Sequence, residues 1–345
     1  MKDYKEEKFK EYNDGKPFGI YISGLGQYNE GALTGKWLYL PASKEEIVSA
    51  FKEAGIGKRD SFGIPYEEYF ISDYDDYTDL SLVEVCGEYV DVEELNLLAQ
   101  AIEDLDDDDY KILCAYCSEN QPNNIAELYS AVVNIPDAEI YIYPDIDDYS
   151  DLGYYLVENV YGGIDSANLL NDFVDVEMLG RDEDIAFYAG EHYDEEEIQE
   201  FIKDGLIDDP EDLNAGFYWC GDLGASDSEI GEAILDELGV DGIQNIDEYF
   251  DYKEFGRFYD MNNTLSWQDG YVADIVDGID FDDSLEKDIE ELNKSGQTVC
   301  PSVQELTEMF DKEKGSKGKD LVDEAKDVAR GNSDSPKRVW PVEER

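Results

Sequence analysis

Hydrophobic and polar positions switch between a period of two and a period of three to four along this chain, and each switch predicts an element. Phe18-Gly19-Ile20-Tyr21-Ile22, Trp37-Leu38-Tyr39-Leu40 and Tyr69-Phe70-Ile71-Ser72 read as strands. Between the last two, Ile47, Val48, Phe51 and Ala54 share one helical face behind Ser43-Lys44-Glu45-Glu46, a capping box. The first unit is therefore expected to be α+β. Val92, Leu95, Leu98, Ala99 and Ile102 follow at helical spacing behind Asp91 as cap. Another helix is expected from Asn123 or Asn124 through Ala126, Leu128 and Tyr129, so the stretch opening near Ser81 reads as a small, mostly helical module.

An internal repeat comes next. Ser150-Asp151-Leu152-Gly153 with Leu156-Val157-Glu158 matches Ser228-Glu229-Ile230-Gly231 with Ile234-Leu235-Asp236 at an offset of 78. Phe173-Val174-Asp175-Val176-Glu177-Met178-Leu179-Gly180-Arg181 matches Tyr249-Phe250-Asp251-Tyr252-Lys253-Glu254-Phe255-Gly256-Arg257 at an offset of 76, so the second copy is two residues shorter between the blocks. Each copy starts with an expected strand, Glu139 to Tyr143 or Gly216 to Cys220, and an acidic linker around Asp194 to Asp212 separates them. After about Asp283 the pattern weakens to helices near Leu285 to Leu292 and Val303 to Phe310, then to a mixed-charge tail expected to be flexible. The expected organisation is an extension (1–16), an α+β domain (17–80), a small helical domain (81–135), a third, α+β domain with its linker (136–212), a repeat of that domain (213–285), and a helical and flexible tail (286–345).

Charge changes this picture from an ordinary α+β chain. The 345 residues carry 26 Lys and Arg against 87 Asp and Glu, a net of -61, yet 42% are hydrophobic and 13% aromatic, a content that disordered acidic chains lack. Both ends are nearly neutral, and residues 17–311 hold 12 basic against 74 acidic residues. That excess equals the phosphate count of roughly 30 base pairs of duplex DNA. Confined to one sphere of about 19 Å radius of gyration it would repel itself strongly. The expected fold class is thus α+β, an elongated string of small α+β and helical domains with a highly acidic surface.

Several segments resemble the ArdA family of antirestriction proteins, found on conjugative plasmids and transposons. Tyr28-Asn29-Glu30-Gly31-Ala32-Leu33-Thr34-Gly35-Lys36-Trp37 and Glu67-Glu68-Tyr69-Phe70-Ile71-Ser72-Asp73-Tyr74-Asp75 look like two patterns of its first domain. Gly87-Glu88-Tyr89, and the blocks ending at Arg181 and Arg257, look like its second and third domains. The resemblance covers roughly Phe18 to Asp260. It implies a non-enzymatic DNA mimic, a bow-shaped homodimer of three small domains per chain that imitates bent B-form DNA and binds the methyltransferase and specificity core of type I restriction-modification enzymes. This chain departs from that pattern in duplicating the third domain; the extra copy either lengthens the mimic or takes the place of a dimer partner.

A groove lined with Lys and Arg for phosphates accepts carboxylates in the same charge-assisted, bidentate geometry. The candidate phosphate mimics are Asp73, Asp75, Asp76 and Asp79; Glu103, Asp104, Asp106, Asp107, Asp108 and Asp109; Asp145, Asp147, Asp148 and Asp151; and Asp280, Asp282 and Asp283. The bland reading of each run is a solvated face. The alternative for the set is an acidic module that sequesters some other basic DNA-binding protein. Salt adaptation fits less well, because Lys exceeds Arg by twenty to six and large hydrophobes are abundant.

Other chemistries find little footing. Asp280, Asp282 and Glu291 take positions 1, 3 and 12 of an EF-hand loop, but Leu285 stands where the turn needs Gly. Cys114-Ala115-Tyr116-Cys117 has zinc or redox spacing without a second pair, and buried structural thiols are the expectation. His192 is the single histidine. Gly24, Gly26 and Gly31 miss the dinucleotide fingerprint and are expected in turns, while Arg181 and Arg257 are expected to be internal ion-pair partners. No catalytic residue, metal, cofactor or direct nucleic-acid contact is expected. Without an apolar signal core or a run of eighteen apolar residues, the expected location is cytoplasmic, away from membranes.

Overall fold

The computed structural model describes residues 9, 15–164, 172–181, 195–205, 225–243 and 245–313. The expected strand at Gly216 to Cys220, His192, the ends of the acidic linker and the chain beyond residue 313 lie outside the described residues. In chain order the elements are β1 (Phe18–Gly24), α1 (Leu25–Asn29), β2 (Gly35–Leu40), α2 (Lys44–Glu53), β3 (Tyr69–Asp76), α3 (Leu82–Cys86), α4 (Val92–Asp104), α5 (Asp107–Asn120) and α6 (Ile125–Asn134). There follow β4 (Glu139–Pro144), α7 (Tyr149–Tyr155), α8 (Val176–Gly180), α9 (Glu195–Lys203), α10 (Asp227–Gly242), α11 (Tyr252–Asn262), β5 (Leu265–Gln268), β6 (Tyr271–Asp277), α12 (Ser284–Ser295) and α13 (303–313). The fold is mixed α+β, with two small antiparallel sheets among the described residues. It divides into two compact units, Met1–Ala138 with Ile279–Arg345, and Glu139–Gly278.

In the first unit the sheet runs β2-β1-β3. Phe18, Ile20, Ile22 and Leu40 are fully buried, as the strand alternation requires. The capping box forms: Ser43 accepts from the Glu46 amide, and the Glu46 carboxylate accepts from the Ser43 amide at 2.8 Å, so Ile47, Ala50 and Phe51 of α2 are turned inward. Asp91 accepts from the Glu93 amide at 2.7 Å and Asn124 from the Glu127 amide at 3.0 Å, starting α4 and α6 where the sequence places them. Gly24 and Gly26 do not sit in a free turn. A Cβ on Gly24 would run into the Ala54 carbonyl, and one on Gly26 into the Tyr66 ring, so close approach keeps both as glycine.

Later residues complete this unit. Leu285 of α12 and Leu306 of α13 are buried, and the buried Glu93 carboxylate accepts from the amides of Val299 at 3.0 Å and Cys300 at 2.7 Å. Leu306 lies so close to Gly57 that a Cβ there would stand 2.7 Å from its own. At the other end of the chain, Phe9 is buried edge-on against Tyr110.

The second unit has the sheet order β4-β6-β5, its β5–β6 hairpin turning at Asp269-Gly270 with Gly270 at φ 78°. Asp-Gly between alternating segments is a hairpin signal that the period reading passed over. The two repeat copies share one core that holds Leu152, Leu156 and Leu179 together with Ile234, Phe250 and Phe255. Helix α7 packs on α11, and α8 on α10. At both crossings glycine meets backbone: a Cβ on Gly153 would collide with the Tyr252 carbonyl, one on Gly256 with Tyr149, one on Gly180 with Asp227, and one on Gly231 with Val176. Gly256→Leu is expected to lower stability by about 3 kcal/mol through overpacking, seen as a lower urea midpoint at unchanged slope; an unmoved midpoint would refute the close crossing.

Candidate partner-binding surface

Strand β3 is a sheet edge, and its first acids lie on the face away from the core. Asp75 is register-paired with Gly19, and Gly19 is itself paired with Tyr39 on the far strand. The Tyr39 ring crosses over Gly19, where a Cβ would collide with it, and its hydroxyl points to Asp75 at 3.4 Å; Tyr77 donates to the same carboxylate at 2.6 Å. Asp73, one pleat away, is exposed and accepts from the Tyr74 amide at 2.9 Å. Asp76 is given over to structure: it accepts from the Thr78 amide and hydroxyl and from the Leu82 amide, closing the turn into α3. Asp79 is exposed in a left-handed conformation at φ 57°.

The run from Glu103 to Asp109 is split between two helices. Glu103 and Asp104 end α4, with no basic residue in its last turn. Carboxylates at that end oppose the helix dipole at a cost of roughly 0.3–1 kcal/mol each, and the Gln100 amide reaches both, at 3.5 and 3.0 Å. Asp106 caps α5 by accepting from the Asp108 and Asp109 amides at 3.0 and 2.9 Å. Lys111 pairs with Asp107 at 3.1 Å and Asp108 at 3.4 Å. Partial burial, then Asp106 and Asp108, raise the Asp109 carboxyl above its ordinary value.

Helix α5 also fixes two other acidic stretches of the first unit. Tyr110 donates to the Thr78 carbonyl at 2.8 Å, anchoring the turn that carries Asp76 and Asp79. Tyr116 donates to the Ile279 carbonyl at 3.0 Å, and its ring meets Phe281 edge-on beside Asp280. Asp282 then accepts from Ser130 at 3.1 Å and from the Ser284 hydroxyl and amide, which hold its pKa below the usual carboxylate value; Asp283 pairs with Lys287, which lowers it likewise. Three of the four predicted stretches are thereby tied to one helix.

The remaining stretch lies in the second unit. Asp145 has φ 60° just after β4, Asp148 caps α7 by accepting from the amides of Ser150 at 2.7 Å and Asp151 at 3.1 Å, and Asp151 accepts from the Asp147 amide at 3.1 Å. Asp145, Asp147, Asp148 and Asp151 are all exposed.

Neutral donors recur at carboxylates outside the predicted set. Tyr129 donates to Asp288 at 2.6 Å and Tyr149 to Asp260 at 3.1 Å, while buried Asp274 accepts from Tyr143 at 2.9 Å and Tyr259 at 2.6 Å. A tyrosine hydroxyl satisfies a carboxylate and leaves its charge in place. Burial, then the bond to Asp274, pushes the Tyr259 hydroxyl up to about 12; Tyr143 rises too, first through burial. The sequence reading did not anticipate this device; its one trace there is compositional, 26 tyrosines beside 87 acids.

The set-aside chemistries meet definite obstacles. Cys114 and Cys117 are buried, and burial pushes the Cys117 thiol up to about 12, away from the thiolate that zinc or redox work needs. Helix α12 begins at Ser284, inside the twelve residues an EF-hand would keep as a loop. Arg181 pairs with Glu177 and with Asp227 at 2.8 Å; Arg257 pairs with Glu254 at 2.8 Å and lies over the Tyr149 ring. Both arginines therefore act as the internal supports expected. Among the described residues no helix is long and apolar enough to cross a membrane, and no cluster of metal-ligating side chains forms.

What emerges is an acidic α+β protein with an internal repeat, in which carboxylates of all four stretches accept from amides or hydroxyls. The model of the antirestriction protein family ArdA matches residues 20–195, so the chain belongs to that non-enzymatic family, whose members act on restriction enzymes. The match ends before the second repeat copy. No curated protein matches the chain.

The Tyr143–Asp274–Tyr259 network sets an alkaline limit. Burial and the bonds to Asp274 raise both hydroxyls above the ordinary 10.0, so their contribution is complete below pH 10 and is lost as pH rises toward about 12 for Tyr259. Tyrosinate absorbance and circular dichroism followed together should show unfolding in that window, and Tyr259→Phe should narrow the loss; titration of these hydroxyls at pH 10 with structure retained would contradict it.

Proposed function

We propose that this protein inhibits a type I restriction-modification enzyme by lying in the groove that otherwise holds DNA, with carboxylates meeting the Lys and Arg side chains that grip phosphates. The target is the methyltransferase and specificity core. The action is stoichiometric, cytoplasmic and free of cofactors, metals and direct nucleic-acid contact.

One observation carries the reading: each of these acidic stretches is anchored at one or more of its carboxylates by backbone amides or hydroxyls, which leave the charge in place. Asp75 sits under two tyrosine hydroxyls, and Asp148 and Asp106 accept from paired amides. A pre-positioned anion loses less side-chain entropy on meeting a cation than a free one. Glu103 and Asp104 sit at the unfavourable end of α4, a placement that folding alone does not explain. Among the candidates, Asp76 serves the fold, and Asp107, Asp108 and Asp283 share their charge with a lysine. Asp73, Asp75, Asp79, Glu103, Asp104, Asp109, Asp145, Asp147, Asp151 and Asp280 are assigned to the partner. Asp106, Asp148 and Asp282 combine a cap or turn with a charge that faces outward.

The test is displacement of duplex DNA from a type I methyltransferase by the pure protein. Displacement at one equivalent is expected, weakening as salt is raised. Asp73, Asp109 and Asp147 changed together to Asn should weaken it by roughly tenfold or more, whereas Asp106 is left intact because it caps α5. DNA that stays bound at saturating protein ends the proposal, and capture of a different basic DNA-binding protein would favour a general acidic sequestering module.

A further inference from the structure

The two copies of the repeat contact each other through equivalent residues, in both directions. Val174 and Phe250, which correspond at the offset of 76, face each other as an antiparallel bridge. The flanking bonds are reciprocal: the Asp175 amide donates to the Tyr249 carbonyl at 2.7 Å, and the Asp251 amide donates to the Phe173 carbonyl at 2.8 Å. The helix crossings follow the same rule. Gly153 approaches Tyr252 as its counterpart Gly231 approaches Val176; Gly256 approaches Tyr149 as its counterpart Gly180 approaches Asp227. Even the arginines correspond, since Arg181 reaches Asp227 and Arg257 reaches Tyr149, the residue equivalent to Asp227. Residue i touching j while j's copy touches i's copy is the signature of a two-fold, self-complementary interface.

The exchange is also crossed. The first helix of copy one, α7, packs on the second helix of copy two, α11, and the second helix of copy one, α8, packs on the first helix of copy two, α10. The caps that start these helices occur at equivalent positions too, Asp148 with Ser226 and Asp175 with Asp251. We infer that the described helical blocks of the repeat, within 148–181 and 226–262, form a single-chain two-fold dimer: each block is the other's partner, with helices exchanged between them, and the self-complementary face of the repeat is consumed inside one chain.

For the function proposed above, on which this consequence rests, one chain presents its exposed acids in two-fold pairs. Asp151 with Glu229, Glu158 with Asp236, Asp172 with Glu248 and Asp175 with Asp251 are all exposed at equivalent positions. A symmetric set of carboxylates then needs one chain in this region, not two.

Two experiments on the full chain test the inference, and neither contains a restriction enzyme. Val174 and Phe250 form a pair not bonded to each other, for which Cα atoms stand about 4.5 Å apart, within disulfide range. Val174→Cys with Phe250→Cys, oxidised beside the wild type and both single variants, should yield an intrachain link that runs as a monomer on a non-reducing denaturing gel; a covalent dimer, or a folded protein without the link, overturns it. Should the double variant not fold, the wild type decides. Its melting midpoint is expected to stay constant over a hundredfold dilution, whereas a midpoint that falls on dilution would show that the repeats pair between chains.

Discussion

A carboxylate in this protein has to find most of its hydrogen-bond donors among neutral groups, because residues 17–311 hold 12 Lys and Arg for 74 Asp and Glu. Two such charges 7 Å apart in water repel by only about 0.6 kcal/mol, and salt screens them over about 8 Å, but the pairs are many. Amides at helix starts and tyrosine hydroxyls satisfy the oxygens and leave the repulsion standing. The opposing force is the burial of large side chains such as Phe18, Leu95, Tyr110, Leu156 and Phe255.

Helix α5 is where these demands meet in the first unit. Its N-terminus receives the charge of Asp106 to Asp109, the favourable end of the dipole. Its buried face, through Tyr110 and Tyr116, holds two further acidic segments that are distant in sequence. The same helix therefore supplies part of the core and the frame on which acids are displayed. Closure by the segment after Ile279 follows a similar economy, with buried Glu93 satisfied by two backbone amides of the returning chain rather than by a cation.

In the second unit the constraint is steric. Four glycines, two in each copy, let helices approach to backbone contact, and any side chain there would force them apart. The ArdA match covers the first unit only from residue 20 to its break at Ala138, together with the first copy as far as residue 195; the second copy adds a matching surface to which the first is already complementary.

Caps and faces of the individual helices were legible in the sequence, because Ser43, Asp91 and Asn124 act on amides two or three residues away and the buried positions of α2 and α4 recur every three to four residues. The acidic runs themselves were plain, but the separate duties within them were not. In Asp106 to Asp109 every residue is a credible cap, and only the backbone path shows that Asp106 caps while Lys111 draws on Asp107 and Asp108. The β5–β6 hairpin carried an Asp-Gly signal, whereas nothing local marked the return of residues 284–313 to the first unit. The repeat and its glycines could be read by comparing the chain with itself. Which copy each helix would choose could not, since equivalent copies offer the same glycine-lined face, and local pattern does not distinguish a partner in the same copy from one in the other; only the packed tertiary structure shows the exchange.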